Sequence, residues 1–444
     1  MNKEGVMELY RRFTAWDLYR VRLGTVQDAL DLIEDGDCLL WAAHGSEPKV
    51  FLSSLHTVAA RLHRKLECWT CIDRFEYPAT SDPAMAGKFH INTFFYDKWA
   101  VGANSSGLYS YFPVNQHNYG QEIQRARQPN VFVAQVSPMD EHGYVHLSCD
   151  LICTLESLYR AEKIIFEVNS QAPAVGGESA IPIAMADVVY EVDEPLYQLA
   201  DPPIGEKEKT IAGFVSELVR DRDCIQLGFG GIPNAIGFDL MDKHDLGIHT
   251  EQLGVSMAHL MDHGVVTNRY KNIDKGMTVG TFISGNDYLY HFVNRHPRIS
   301  IRRSRYTNDP FIIAQNDNVV SVNAALQIDL TGQVCAESVG SRQHSGTGGA
   351  ADFAYGAYHS KGGRAVLAQT STTRQGTLSR IVPILNQGAV VSVSRALTDM
   401  VVTEYGVAKL RQRTVKQRVE NLIAIAHPDF RAELRKEAAR YLYY

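Results

Sequence analysis

The chain has 444 residues, 45% of them apolar and 21% charged, with a formal net charge of −6. That balance belongs to a globular protein with a large core, and the length to two or three domains. The slight acidity leaves no footprint for nucleic acid or an anionic membrane, so any anionic ligand must be held by local features.

The first twenty residues, MNKEGVMELYRRFTAWDLYR, are amphipathic and mixed in charge. They lack the apolar core of a signal peptide, and no later run is long enough to span a bilayer. Seven scattered cysteines without framework spacing point to a reducing cytoplasm. ALDLIEDGDCLLWAAHGSEP (29–48) reads as a helix, an Asp-x-Asp-Cys turn, an apolar strand and a small-residue loop. Cys68 and Cys71 in KLECWTCIDRF have redox or zinc spacing, and His142, His146, Cys149 and Cys153 cluster further on. A zinc site needs about four converging ligands and a redox pair usually opens a helix, whereas KLECWTCIDRF has the pattern of a buried strand. Core cysteine is the preferred reading, and no metal is assigned. NVFVAQVSPMDEHGYVHLS (130–148) reads as strand, acidic turn, glycine, strand, and DEPLYQLADPPIGEKEK (193–209) as a linker rich in proline and charge.

The second half echoes the first. FVSELVRDRDCIQLGFGGIP (214–233) repeats the helix, Asp-x-Asp-Cys turn, strand and loop of 29–48. HINTFF pairs with TVGTFI, and the 130–148 block with NVVSVNAALQIDLTGQVCAES, at an offset (90 to 278, 130 to 318) that stays near 188 residues. A constant shift over separated blocks predicts two similar tandem α/β domains, 1–200 and 201–444. Beyond residue 360, SRIVPIL and AVVSVSRA read as strands and TVKQRVENLIAIAHPDFRAELRKEAARYLYY as helices packed back on the body.

LGFGGIPNAI places Gly228, Phe229, Gly230 and Gly231 where the first copy has AAHGSEP, so the glycines are additions to a shared turn. Pro233 stands where a dinucleotide fingerprint needs its third glycine, and no Walker lysine follows. Two readings stay open: a structural turn, and a loop whose bare N–H groups stabilise developing negative charge. SGTGGAADF adds Gly346, Gly348 and Gly349 after AESVGSRQH, which has neither helix nor strand pattern. No GxSxG elbow is present and the cysteines lack adjacent cations, which argues against serine or thiolate catalysis. Glu251, Glu337 and Glu404 remain, each ending or interrupting an apolar run, and pattern does not choose among them.

GIHTE, LGFGGIPNAI, DLTGQVCAESVGSRQHSGTGGAADF, SRIVPIL, VVTEYGVAKL and IAHPDFR together resemble the acetyl-CoA hydrolase/transferase family, and most of all its 4-hydroxybutyrate and butyrate CoA-transferase branch. VSPMDEHGYVHLS and ESAIPIAMADVVYEVDEPL carry the likeness through the first half. The resemblance implies ping-pong transfer through a covalent glutamyl-CoA thioester, with Glu251 as nucleophile. It implies oxyanion and thioester contacts at Gly228, Phe229, Gly230, Gly231, Gly348 and Gly349. Gln226 matches a family glutamine expected to orient the carboxylate substrate; Asn308 and Glu404 match positions of CoA contact or site support. Opposite Glu251 the first copy offers only Cys71, which implies one active site per chain.

The sequence departs from the family in places. APAVGGES stands for a PRTHGES-like segment, Tyr355 replaces a residue often basic, and HINTFFYDKWAVGANSSGLYSYFPVNQHN is unusually aromatic. These changes bear on the acid bound rather than on the reaction. Butyrate, acetate and 4-hydroxybutyrate are the default acids, with succinate or itaconate as dicarboxylate alternatives; Lys361, Arg364 and Arg380 are candidates to meet CoA phosphates or a second carboxylate. Acyl-CoA hydrolysis through the same glutamate is the alternative activity, and a CoA-binding protein without turnover the non-enzymatic one. No tightly bound cofactor is expected, coenzyme A being a substrate, and a homo-oligomer, by default a dimer, is the expected assembly.

Overall fold

A computed structural model describes residues 12–199, 204–373 and 375–441. Eleven residues of the amphipathic N-terminal stretch and 200–203 of the linker lie outside them. The chain forms two compact units. One joins the chain up to Leu199 with Gly280–Tyr306; the other joins the stretch from the linker to Val279 with the chain from Thr307 onward. Segment 280–306 thus packs within the first unit, although it lies beyond the sequence division at 200.

The first unit is built on a seven-stranded parallel sheet. Its strands are β1 (Cys38–Trp41), β2 (Leu66–Thr70), β3 (Phe89–Thr93), β4 (Tyr109–Tyr111), β5 (Val131–Val136), β6 (Lys163–Asn169) and β7 (Val188–Val192). They lie in the order β4-β3-β2-β1-β5-β6-β7. The second unit holds β8 (Cys224–Leu227), β9 (Gly247–Ile248), β10 (Val319–Asn323), β11 (Arg364–Ala368), β12 (Met400–Thr403) and β13 (Gly406–Lys409). Their order is β9-β8-β10-β11-β12-β13, parallel except for the β12–β13 hairpin. β9-β8-β10-β11-β12 therefore repeats β2-β1-β5-β6-β7. Strands covered on both faces read as unbroken apolar runs, which is why CLLW and VFVAQV are buried at every position.

The Asp-x-Asp-Cys turns show the repeat in atomic detail. Asp37 accepts from the Glu34 N–H at 2.8 Å, and Asp223 from the Arg220 N–H at 2.7 Å, closing the same turn before β1 and β8. The middle residues, Gly36 and Arg222, both adopt positive φ, 87° and 70°. The leading acids reach the chain entering the neighbouring strand, Asp35 at the His63 N–H and Asp221 at the His244 N–H, each at 2.8 Å. Polar side chains thus end each preceding helix, α1 (Val26–Asp31) in the first unit, and set the strand register, while Leu39, Trp41 and Val133 in one unit and Val319, Leu367 and Val401 in the other enter the cores.

Three expectations differ. TVGTFI lies outside the six-stranded sheet; what survives of the β2–β3 pairing is a bridge between His249 and Val279. AVVSVSRA is not a strand: Val393 alone bridges Val334, and the sheet strand follows at Met400. AESVGSRQH contains a small hairpin, Ser338–Val339 against Arg342–Gln343. The C-terminal helices α4 (Val415–Ile425) and α5 (Pro428–Arg440) do pack back, with Val419, Leu422, Ile423 and Leu434 in the second core.

Candidate active site

In the second unit, the loops at the carboxyl ends of the strands gather the chemistry. Parallel sheets place their sites there because the strand-to-helix turns converge at that edge. β8 runs into Gly228, Phe229 and Gly230 before α2 (Gly231–Asp239). A Cβ on Gly228 would come within 3.0 Å of Asn323 Oδ1 and 3.1 Å of the Val322 carbonyl, and the Gly228 N–H donates to that carbonyl at 2.7 Å. Gly228 is therefore a close-packing glycine rather than an oxyanion donor. Gly230 takes φ +121°, which favours glycine, and Phe229 is 53% exposed. The first amides of α2 precede any i−4 carbonyl, so Gly231 brings N–H groups to the loop without an intrahelical partner.

Glu251 follows β9, and its segment is pinned on both sides. The His249 ring nitrogen Nε2 lies 2.8 Å from the Thr307 carbonyl, and the Thr250 N–H donates to Val279 O at 2.9 Å. These contacts align Glu251 with the residue after Thr307. That residue, Asn308, is fully buried and donates from Nδ2 to Glu251 Oε2 at 2.7 Å. Gly349, immediately before α3 (Ala350–His359), closes on the same oxygen: a Cβ there would overlap both Glu251 Oε2 and Asn308 Nδ2. Only glycine permits this approach. Gly348 precedes it at φ +54°.

This environment sets the acidity of Glu251. Burial pushes its carboxyl up to about 7, against the Asn308 amide and the Gly349 N–H, while the nearby buried Asp352 in the first turn of α3 adds to the rise. The result is a carboxylate that is unusually basic, with one oxygen held and the group otherwise lightly bonded.

The other two glutamates differ in kind. Glu337 is buried and accepts from Ser392 Oγ at 2.7 Å and Thr347 Oγ1 at 3.2 Å, so it organises the polar loop. Glu404, at the carboxyl end of β12, accepts from the Ser371 N–H at 2.8 Å and Oγ at 2.9 Å and faces Lys207 at 3.4 Å. Burial raises its pKa, but the Ser371 and Lys207 contacts outweigh that and hold it below the ordinary value.

The remaining expected residues separate. Gln226 is buried, and its side-chain amide pairs with that of Asn323 through two contacts of 3.2 Å. It braces the loop beneath Gly228. Arg380 donates to the Ala325 carbonyl at 3.0 Å, beyond the end of β10. Lys361 and Arg364 lie at the opposite, amino-terminal edge of β11: Lys361 is almost fully exposed 4.0 Å from Asp317, and Arg364 is paired with Asp223 at 2.6 Å. Neither joins Glu251. Sequence reasoning passed over His249, Asp352 and Asn323; each is a polar residue in an apolar context, the signal that marked Gln226. All seven cysteines are buried and outside any disulfide, and among the described residues no group of three or more His, Cys, Asp or Glu side chains is arranged to hold a metal.

The chain is similar to known proteins along most of its length. Residues 7–199 match the acetyl-CoA hydrolase/transferase N-terminal domain and 285–438 the corresponding C-terminal domain. A succinyl-CoA:cyclohexane-1-carboxylate CoA transferase of Geobacter metallireducens is 43% identical, covering 95% of this chain and 96% of the relative. A 4-hydroxybutyrate coenzyme A transferase of Clostridium kluyveri is 36% identical over 95% of this chain and 98% of its own. The crystal structure of RipA from Yersinia pestis superimposes with a TM-score of 0.91 at 34% identity, covering 97% of this chain and all of that one.

Proposed function

Because the chain belongs to the acetyl-CoA hydrolase/transferase family, we propose that it moves CoA between a short-chain acyl-CoA and a free carboxylic acid, with Glu251 as the covalent carrier. The observation that carries this reading is the Glu251–Asn308–Gly349 constellation: a basic carboxylate fixed at one oxygen beneath a helix start.

The chemistry splits one difficult exchange into easier steps. A Glu251 oxygen adds to the thioester carbonyl carbon, and the tetrahedral oxyanion collapses by expelling the CoA thiolate, leaving an acyl-glutamyl anhydride. The thiolate then adds to the Glu251 carbonyl carbon and expels the first acid as its carboxylate, giving the glutamyl-CoA thioester. A second carboxylate takes the CoA by the same steps in reverse. In each tetrahedral species negative charge grows on oxygen, where the Asn308 amide, the Gly349 N–H and the first amides of α2 supply fixed donors. A carboxyl titrating at about 7 is largely ionised only above neutrality, yet more nucleophilic than an ordinary one.

The names of the relatives support succinyl-CoA and 4-hydroxybutyryl-CoA as first substrates to try, and butyrate, acetate and succinate as acids; itaconate is a further dicarboxylate for the same screen. No helix among the described residues is long and apolar enough to cross a membrane. A reducing cytoplasm and a homodimer complete the reading, the first supported by seven buried cysteines outside any disulfide. The test is acceptor dependence. Incubated with succinyl-CoA, the protein should release little CoA alone and form a new acyl-CoA once a second acid is added. Steady CoA release without an acceptor would make it a hydrolase.

A further inference from the structure

The second unit carries another concave site, at the edge of its sheet opposite Glu251. β8, β10, β11 and β12 run parallel, with Glu251 and the glycine loops beyond their carboxyl ends or that of β9. At the amino ends of β11 and β12, and at the close of antiparallel β13, lies a cavity of about 390 Å³. That is within the roughly 300–1,000 Å³ of small-ligand sites. Arg220, Arg364, Lys409, Arg411 and Arg413 line it, against only two carboxylates, Glu217 and Asp399.

The cations come from separate stretches and several are held in place. Arg364 donates to the Leu218 carbonyl at 2.7 Å and to Asp223 at 2.6 Å, so its charge is already matched. Arg411 lies over the Tyr358 ring at 4.1 Å and donates to the Tyr358 carbonyl at 3.1 Å, which fixes its guanidinium without neutralising it. The turn carrying Arg411 and Arg413 is anchored by Leu410 and Arg411 N–H groups on the Asp399 carbonyl, at 2.7 and 3.2 Å. Gln412 between them adopts φ +59°, a left-handed conformation unfavourable for a non-glycine residue. Among the described residues, Arg220, Lys409, Arg411 and Arg413 have no carboxylate in a salt bridge of 4.0 Å or less. Asp399 is 8% exposed and lies beneath the cluster, close enough that Arg411, Arg364 and Lys409 oppose the rise that burial gives its pKa.

With Arg364 already matched by Asp223, four cations facing two carboxylates, in a chain of net charge −6, form a local excess of positive charge in a concavity of ligand size. Guanidinium forks match phosphate oxygens bidentately, and a lysine adds a mobile point charge. The only apolar side chains in the lining are those of Leu218 and Met400, with no aromatic ring for a base to stack on. We propose that this pocket binds a diphosphate group, as free pyrophosphate or as the diphosphate of a nucleotide, separately from the site at Glu251. The excess of positive charge then favours two adjacent phosphates over one.

Calorimetric titration of the whole protein tests this with pyrophosphate, ADP and AMP at constant ionic strength, without magnesium. Pyrophosphate should bind with a stoichiometry of one, AMP at least tenfold more weakly. ADP matching pyrophosphate would place a nucleotide in the pocket, and ADP at AMP's level free pyrophosphate; either is the proposed chemistry. The exposed pair Lys409→Gln and Arg413→Gln together should weaken pyrophosphate at least tenfold while CoA transfer and the unfolding midpoint stay unchanged. No pyrophosphate binding to the parent protein would overturn the proposal. So would undiminished binding by the double variant, with or without displacement by CoA, because the diphosphate would then sit elsewhere.

Discussion

At the carboxyl edge of the first sheet the loop after β1 is filled with side chains; at the same place in the second sheet it is left open. His44 takes φ +56° and stacks on Phe282 at 4.0 Å, with its Nδ1 2.7 Å from Arg74. Glu47, 3% exposed, accepts from the Arg74 N–H at 2.8 Å and from the Tyr77 hydroxyl. Where the second unit has Glu251 after β9, the first has buried Cys71 after β2, followed by Asp73 bonded to Trp41 and Thr70 at 2.9 Å each. Both edges hold carboxyls raised by burial, but those of the first are surrounded by donors and aromatic rings. The difference teaches that the repeated strands and Asp-x-Asp-Cys turns build the frame, while glycines at 228, 230 and 349 let bare backbone rather than side chains line the second edge.

The largest expected effect breaks the asymmetry outright. Glu251→Gln should lower kcat by about 10⁴-fold or more, as loss of a covalent nucleophile does. Circular dichroism and the unfolding midpoint should stay near those of the parent. Retained turnover would take the nucleophile's role away from Glu251.

Paired glycine substitutions sharpen the same contrast. Gly349→Ala drives a methyl into Glu251 and Asn308 and should cost about 10²-fold in kcat through misplacement of the reacting oxygen. In Gly45→Ala the new Cβ meets Cys149 Cβ and Sγ at 2.9 Å. That overpacking should destabilise the protein by about 1–3 kcal/mol, read as a lower thermal midpoint, with a smaller effect on kcat.

The pH dependence follows from the raised carboxyl. Glu251 must be ionised to attack, so kcat/KM should rise with pH through an apparent pKa near 7. Asn308→Ala removes a donor that favours the ionised form, so the limb should move to higher pH; Asp352→Asn removes a neighbouring negative charge and should move it lower. A limb unmoved by either variant would belong to another group.

The smallest effect is on stability. Asp73 is raised to about 7, by burial first and then by the Asp97 charge, against its Trp41 and Thr70 hydrogen bonds. A carboxyl with a raised folded pKa binds more protons in the folded than in the unfolded state between about 4 and 7. Its contribution is therefore full at acid pH and lost as pH rises through 7, with a slope of at most ~1.4 kcal/mol per pH unit. Asp73→Asn should flatten the fall of the urea midpoint across that range.

The frame was legible because it rests on local rules. Unbroken apolar runs marked β1, β5 and β10, and the Asp-x-Asp-Cys turns announced the repeat through side-chain bonds made within three residues. The site was legible only in part. Glu251, Glu337 and Glu404 look alike in sequence, and what distinguishes them is the number of donors each meets after folding. Lys361, Arg364 and Arg380 are close in sequence and candidates for the same role, yet β11 carries the chain across the sheet between Arg364 and Arg380, so they end on opposite edges. A five-residue strand spans about 16 Å, which a reading by sequence proximity does not register. The polar contacts of His249, Asn308 and Asn323 join segments far apart in the chain, and no spacing rule predicts them.

The most direct test of the central claim is trapping the covalent intermediate. The protein is mixed with succinyl-CoA, treated with borohydride and digested, and its peptides are weighed. Reduction of the glutamyl thioester should convert the Glu251 side chain to an alcohol, a mass change confined to the peptide bearing Gly247–Glu251 and absent in Glu251→Gln. The same change at Glu337 or Glu404, or an unmodified Glu251 peptide in protein that is turning over, would contradict the account.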